Sequence, residues 1–276
     1  MKNLLSLVFL VGVTALLDGE EIEKLSMPLV SDLQRADLYI LKVADHPAAI
    51  LVLCPGFNGN GKAWIENPVW QKFASDNNLD LAGLSFASDG ELLKRGRGYY
   101  YPSQGSGQVL LDGISNAVGG DLPLVLYGFS GGAHFSSGFA DWKPERVTAW
   151  CAYSAEWWTP PSSNTASPPG LIICGDEDDR YGASLLYFKQ GRAEGKPWLW
   201  ISVHKNGHSI APKVEDFVRH YFASVLQTNE EKGPGQWVDI DLKGHATEET
   251  LLHQPSLTAW LPDSKLLPDW ETVHQP

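Results

Sequence analysis

The stretch LYGFSGGAHF, residues 126–135, contains G-x-S-x-G in Gly128, Phe129, Ser130, Gly131 and Gly132, directly after the apolar run LPLVLYG at residues 122–128. An apolar run of that length reads as a strand, and the segment after Ser130 has a helical signature. A serine in a tight turn between strand and helix has its hydroxyl raised above the sheet. Glycines at 128 and 132 remove the side chains that would clash with such a turn. The helix that follows aims its first N–H groups and the positive end of its dipole at the same spot, which favours a developing oxyanion. A plain structural turn also fits these five residues, so the other strand ends decide between a turn and a nucleophile.

Apolar runs of strand length recur on both sides of the motif: ADLYILKV (36–43), AAILVLC (48–54), LDLAGLSF (79–86), RVTAWCAYS (146–154), GLIICG (170–175) and PWLWISV (197–203). From AAILVLC onward they lack strict alternation, as expected of strands covered on both faces. Between them lie helical segments: NPVWQKFASDN with Pro near its start, residues 106–118, GASLLYFKQGRAEG with a closing Gly, and SIAPKVEDFVRHYFASVL. Strand and helix in repeated alternation predict an α/β fold, a doubly wound, mostly parallel sheet with helices on both faces. The short ADHP link between the first two runs predicts an antiparallel hairpin.

In such sheets ligands bind beyond the carboxyl ends of the strands. AAILVLC runs into Pro55-Gly56-Phe57-Asn58-Gly59, a loop that can supply a backbone donor, the N–H of Phe57. GLIICG ends in Gly175-Asp176-Glu177-Asp178-Asp179, and PWLWISV ends in His204-Lys205-Asn206-Gly207-His208-Ser209. Nucleophile, acid and histidine therefore follow one another in the order Ser, Asp, His, each just past a strand. The chemistry needs all three. An alcohol is a poor nucleophile at neutral pH, so an imidazole takes its proton and returns it to the leaving group, while a carboxylate holds the ring and offsets its charge.

From about residue 37 to 226 this set of motifs resembles the α/β-hydrolase superfamily. The resemblance implies Ser130 as nucleophile, Asp178 in the G-x-x-D turn as acid, and His208 in a G-H loop before the last helix as base. It also implies an oxyanion hole from the N–H groups of Phe57 and Gly131. Pro55 stands where the family commonly has His, a change that leaves backbone donation intact. Asp176, Asp179 and His204 are the competing choices within the same loops. The DEDD turn lacks the alternating oxygens and central Gly of a calcium loop, and no metal or organic cofactor is expected.

Composition bounds the rest. At 276 residues the chain suits one large domain, and 43% apolar residues with eleven Trp suit a packed core. A formal net charge of −12 repels polyanions, so nucleic acid is not an expected partner. The opening MKNLLSLVFLVGVTALL places Lys2 before an apolar run shorter than the ~20 residues of a membrane span, with Val13-Thr14-Ala15 as a cleavage site. This predicts a signal peptide over 1–15 and a secreted or periplasmic protein with no stable membrane span after cleavage. The catalytic domain is expected over 16–228, and 229–276 as a C-terminal extension, packed on the domain or serving as a flap. Three cysteines, Cys54, Cys151 and Cys174, each lie in an apolar run, which predicts buried thiols rather than a disulfide framework.

Trp157 and Trp158 after RVTAWCAYS, and Tyr101 in the YYY of residues 99–101, fall on the side of the sheet where the triad belongs. They are the candidate substrate-binding residues, able to stack on sugar or aromatic rings. Export, triad and aromatics together resemble a secreted serine esterase acting on small-molecule or polymer esters, such as polysaccharide side groups or polyesters. The rival readings are a serine peptidase on the same fold and a non-catalytic glycan-binding module.

Overall fold

A computed structural model describes residues 21–30, 32–156, 159–163, 166–227 and 235–275. The expected signal segment, residues 1–15, and the pair Trp157 and Trp158 lie outside them. Eight strands form the main sheet: β1 (Glu23–Ser26), β2 (Leu33–Leu41), β3 (Ala49–Cys54), β4 (Leu79–Ser88), β5 (Leu124–Phe129), β6 (Val147–Tyr153), β7 (Gly170–Gly175) and β8 (Trp198–Val203). Their order is β1-β2-β4-β3-β5-β6-β7-β8, parallel from β4 through β8 and antiparallel for β1–β2 and β2–β4.

The hairpin expected from ADHP does not form, because β4 lies between β2 and β3. Asp80, buried at the start of β4, accepts the amides of Val43 and Ala44 at 2.7 and 3.1 Å. The Ala48 amide then donates to Asn78 O at 2.8 Å. The link is thereby drawn across the end of β4, and β3 starts on its far side. A turn of this length is compatible with either course; the buried carboxylate that fixes it lies more than thirty residues downstream.

Helices α1 (Gly61–Ile65), α2 (Pro68–Asp76), α3 (Gly90–Lys94), α4 (Ser106–Val118), α5 (Gly131–Trp142), α6 (Tyr181–Ala193) and α7 (Pro212–Leu226) fill the connections. Successive residues of β5 show how both faces are covered, since neighbouring side chains on a strand point to opposite sides. Tyr127 meets the Trp70 ring of α2 at 4.9 Å and donates to Glu215 of α7 at 3.3 Å. Gly128 faces α5 instead, where an added Cβ would come 2.2 Å from Gly132 O. Cys54, Cys151 and Cys174 lie wholly buried in β3, β6 and β7, and burial pushes all three thiols well up from their ordinary range.

The C-terminal region forms a small sheet of β9 (Gln236–Asp239), β10 (Gly244–His245) and β11 (Thr258–Leu261), with α8 (Glu248–His253) in the chain between β10 and β11 and α9 (Leu267–Val273) after β11. It lies along β8, the last strand of the main sheet. Trp270 Nε1 donates to Trp200 O at 3.0 Å, the Ser202 amide donates to His274 Nδ1 at 3.0 Å, and the Gln275 amide donates to Ser202 O at 2.8 Å. These bonds satisfy strand groups that would otherwise form an open edge. Arg192 of α6 fixes the other side: its buried guanidinium donates to Thr258 O and Oγ1 at 2.9 and 3.1 Å and lies 4.1 Å above the Trp237 ring. Among the described residues no helix is long and apolar enough to cross a membrane.

Candidate active site

Ser130 stands between β5 and α5 with φ 53° and ψ −115°, a left-handed conformation costly for any residue with a Cβ. Its surroundings over-determine it. The Ser130 amide donates to Tyr153 O at 2.7 Å, and the start of α5 rests against the end of β3 so closely that a Cβ on Gly132 would sit 1.9 Å from Cys54 O. The glycines of the motif are therefore consequences of backbone contact, and the contact is what holds the serine in its strained turn.

The acid and histidine loops meet over the same sheet edge. Gly175 permits this, since a Cβ there would fall 1.9 Å from Asn206 O, and the Glu177 amide donates to Asn206 O at 3.1 Å. His208 Nδ1 lies 2.7 Å from Asp178 Oδ2, and His208 Nε2 lies 2.9 Å from Ser130 Oγ. The ring also packs on Phe129, with centroids 5.0 Å apart.

Asp178 is buried and its second oxygen, Oδ1, accepts the Arg180 amide at 3.1 Å and Arg180 Nη1 at 3.0 Å. Burial works against ionisation of this carboxyl. Hydrogen bonds from His208, from the Arg180 amide and guanidinium and from the Ser154 hydroxyl outweigh it and hold the group below the usual carboxylate range. The carboxylate is thus ionised at neutral pH and able to orient an imidazole.

The two residues expected as oxyanion donors lie close together. A Cβ on Gly131 would lie 2.9 Å from Phe57 N, and Phe57, Ser130 and Gly131 line one depression. Gly131 is the first residue of α5, and its N–H has no acceptor within the helix.

Two depressions flank Ser130. One, of about 340 Å³, includes Gly131, Phe57, Tyr100, His134 and Arg180. The other, of about 630 Å³, includes His208, Phe129, Trp64 and Ile210. A neighbouring cavity of about 250 Å³ shares the stacked Tyr100–His134 pair as a wall, with ring centroids 4.6 Å apart, and does not touch Ser130. Among the described residues no group of three or more His, Cys, Asp or Glu is placed to hold a metal ion.

No protein-family profile matches the chain, and no curated protein matches it. Solved structures do. A Staphylococcus aureus fluorophosphonate-binding serine hydrolase, FphF, in a substrate-bound form, aligns with a TM-score of 0.53 at 13% identity, over 75% of this chain and 99% of that one. Esterase PE8 aligns with a TM-score of 0.53 at 20% identity over 71% and 100%. EstE1, a thermophilic carboxylesterase cloned from a metagenomic library, aligns with a TM-score of 0.56 at 12% identity over 75% and 90%. With this strand order and these neighbours the architecture is decided. The chain has the α/β-hydrolase fold.

On the α/β-hydrolase fold the structure brings Ser130, His208 and Asp178 together, with the Phe57 and Gly131 amides beside them. It takes the competitors elsewhere. Asp176 Oδ2 and His204 Nδ1 pair with each other at 2.9 Å on the surface, and Asp179 is exposed. Tyr101 donates to Leu93 O at 3.1 Å and lines the 250 Å³ cavity, while it is Tyr100 that reaches the Ser130 depression. Several neighbours of the site were not visible to motif reading. Ser154 meets Asp178 because the ends of β6 and β7 lie side by side, whereas Arg180 lies two residues beyond Asp178 in the same turn. Trp64 reaches the site from α1, a five-residue helix too short for a periodic signal.

Proposed function

We propose that this protein is a serine hydrolase that cleaves carboxylic esters through an acyl-enzyme on Ser130, with His208 as general base and acid and Asp178 as the orienting carboxylate. The observation that carries this reading is the unbroken line from Ser130 Oγ through both His208 nitrogens to Asp178 Oδ2, at 2.9 and 2.7 Å. His208 Nε2 takes the hydroxyl proton as Oγ attacks the ester carbonyl. The Phe57 and Gly131 amides receive the charge that develops on the carbonyl oxygen, an effect of about 10²–10³ in turnover for one such donor. The proton then passes to the departing alcohol, and water repeats the sequence on the acyl-enzyme to release the acid.

Neighbours described as esterases and serine hydrolases support ester hydrolysis as the reaction class. Polymer-borne esters, on polysaccharide side groups or in polyesters, belong to the proposed substrates; the two depressions open to solvent beside Ser130 support this. The apolar N-terminal run behind Lys2 supports work outside the cytoplasm, secreted or in the periplasm.

Turnover of a series of acyl p-nitrophenyl esters and of peptide amides by the purified protein and by Ser130→Ala tests the reading. Ester hydrolysis that vanishes in the variant is the expected result. Faster cleavage of amides than of esters would make the protein a peptidase, and glycan retention without any turnover would make it a binding module.

A further inference from the structure

The two depressions beside Ser130 differ in chemistry, and the tetrahedral intermediate assigns each a part of the ester. Its carbon carries Ser130 Oγ, the oxyanion, the departing oxygen and the acyl carbon. The departing oxygen must lie toward His208 Nε2, which gives it a proton, and the oxyanion toward the Gly131 and Phe57 amides. The alcohol therefore occupies the depression that His208 lines. The acyl group occupies the one that contains Ser130 and Gly131 but not His208.

On the alcohol side Pro55, Ala63, Trp64, Phe129 and Ile210 supply an apolar wall, and the depression is the larger, about 630 Å³ against 340 Å³. The acyl side is bounded by Phe57 and Tyr100 together with the polar or charged Glu91, Lys94, His134, Glu156 and Arg180. Its charges are matched: Lys94 Nζ lies 3.0 Å from Glu91 Oε1, and Arg180 bonds Asp178 at 3.0 Å and lies 3.9 Å from Glu156. Among the described residues a charged acyl group gains no unmatched partner there. A long apolar chain would strip water from these groups without replacing its hydrogen bonds, which is unfavourable.

We infer that the preferred substrate is an ester of a short or polar, uncharged acid with a bulky apolar alcohol, the reverse of a fatty-acyl ester, with Trp64, Phe129 and Ile210 holding the alcohol. This rests on the ester-hydrolase reading above and narrows it, singling out aromatic and aliphatic alcohol esters over acetylated sugars. The acyl C–O bond breaks, water supplies hydroxyl to the acid, and the alcohol leaves with the proton from His208.

Benzyl acetate and methyl phenylacetate test it, being isomers with acyl and alcohol ends exchanged and primary alcohols as leaving groups. Each kcat/KM is divided by the ester's own hydroxide rate constant, and an O-acetylated methyl xyloside is run beside them. Benzyl acetate is expected to lead both by about tenfold or more, the scale on which one apolar group is discriminated in a pocket. Trp64→Ala and Ile210→Ser should each shrink that lead through KM for benzyl acetate. Equal or faster turnover of methyl phenylacetate or of the xyloside overturns the inference, as does a lead that survives both substitutions in folded protein. Those outcomes leave the ester-hydrolase reading standing, whereas no turnover of any ester, p-nitrophenyl acetate included, removes both.

Discussion

Arg180 Nη1 lies 3.0 Å from Asp178 Oδ1, the carboxylate oxygen opposite the one that bonds His208. Asp178 is therefore held from both sides, by an imidazole on Oδ2 and by the Arg180 guanidinium and backbone amide on Oδ1.

Loss of that guanidinium should leave Asp178 in place but less firmly aimed. Arg180 is 30% exposed, so solvent reduces the worth of the contact, and Arg180→Met is expected to lower kcat by about tenfold. Arg180→Lys restores part of the loss because the charge returns without the fork. Equal kcat losses in both variants, accompanied by equal falls in melting temperature, would assign Arg180 to general stability.

The three acids of the turn separate cleanly. Asp178→Asn should cost on the order of 10⁴ in turnover, because an amide leaves His208 in the wrong tautomer. Asp176→Asn weakens surface bonds to His204 and to the Lys205 and Asn206 amides, and Asp179→Asn changes an exposed group, so both should stay within about tenfold of the parent. Kinetics on the three folded variants decide it; a severe loss at 176 or 179 with a mild one at 178 would move the acid.

Adjacent glycines should fail in different ways. Gly131→Ala places a methyl 2.9 Å from Phe57 N and 2.6 and 2.7 Å from the hydroxyls of Tyr100 and Tyr99, crowding the space between the two amides. Gly132→Ala instead drives a methyl to 1.9 Å from Cys54 O, backbone of β3 that cannot yield. The first is expected to lose 10²-fold or more in turnover with a modest change in melting temperature. The second should fold poorly. Thermal melts alongside turnover distinguish them, and a well-folded, active Gly132→Ala would contradict the packing account of the turn.

How much of this was legible in the sequence follows from which interactions are local. The strand ends that carry Ser130, Asp178 and His208 announce themselves by apolar runs stopping at small or polar residues, and the structure gathers those three side chains. The course of the chain after β2 was not legible, since it depends on Asp80 capturing the Val43 and Ala44 amides from a distant strand. The groups on Asp178 Oδ1 are local, since Arg180 stands two residues along the same turn, but no motif marks which way its side chain turns. Tyr100 and Tyr101, adjacent and chemically alike, differ only in which side of the loop each faces, a choice made by Leu93 O accepting from Tyr101.

Acid should loosen the C-terminal region first. His274 is fully buried on Trp270, and burial, with Lys243 nearby, pulls its pKa down from 6.5 to about 4 despite the bond to Ile240 O. The depressed value means that its contribution is complete above pH 6.5 and is lost as pH falls toward 4, by about 1.4 kcal/mol per unit in that window. His274→Asn should be less stable than the parent at pH 7.5 and lose less on moving to pH 4.5. Parallel slopes for the two proteins in melts across that range would rule out His274 as the source.

The central claim is that Ser130 is the nucleophile, and the most direct measurement is intact mass with peptide mapping after exposure to a fluorophosphonate. The account predicts one adduct, on Ser130, formed in step with loss of esterase activity, absent in Ser130→Ala and strongly slowed in Asp178→Asn. An adduct on another residue, or ester turnover that continues at the parent rate with Ser130 fully labelled, would contradict it.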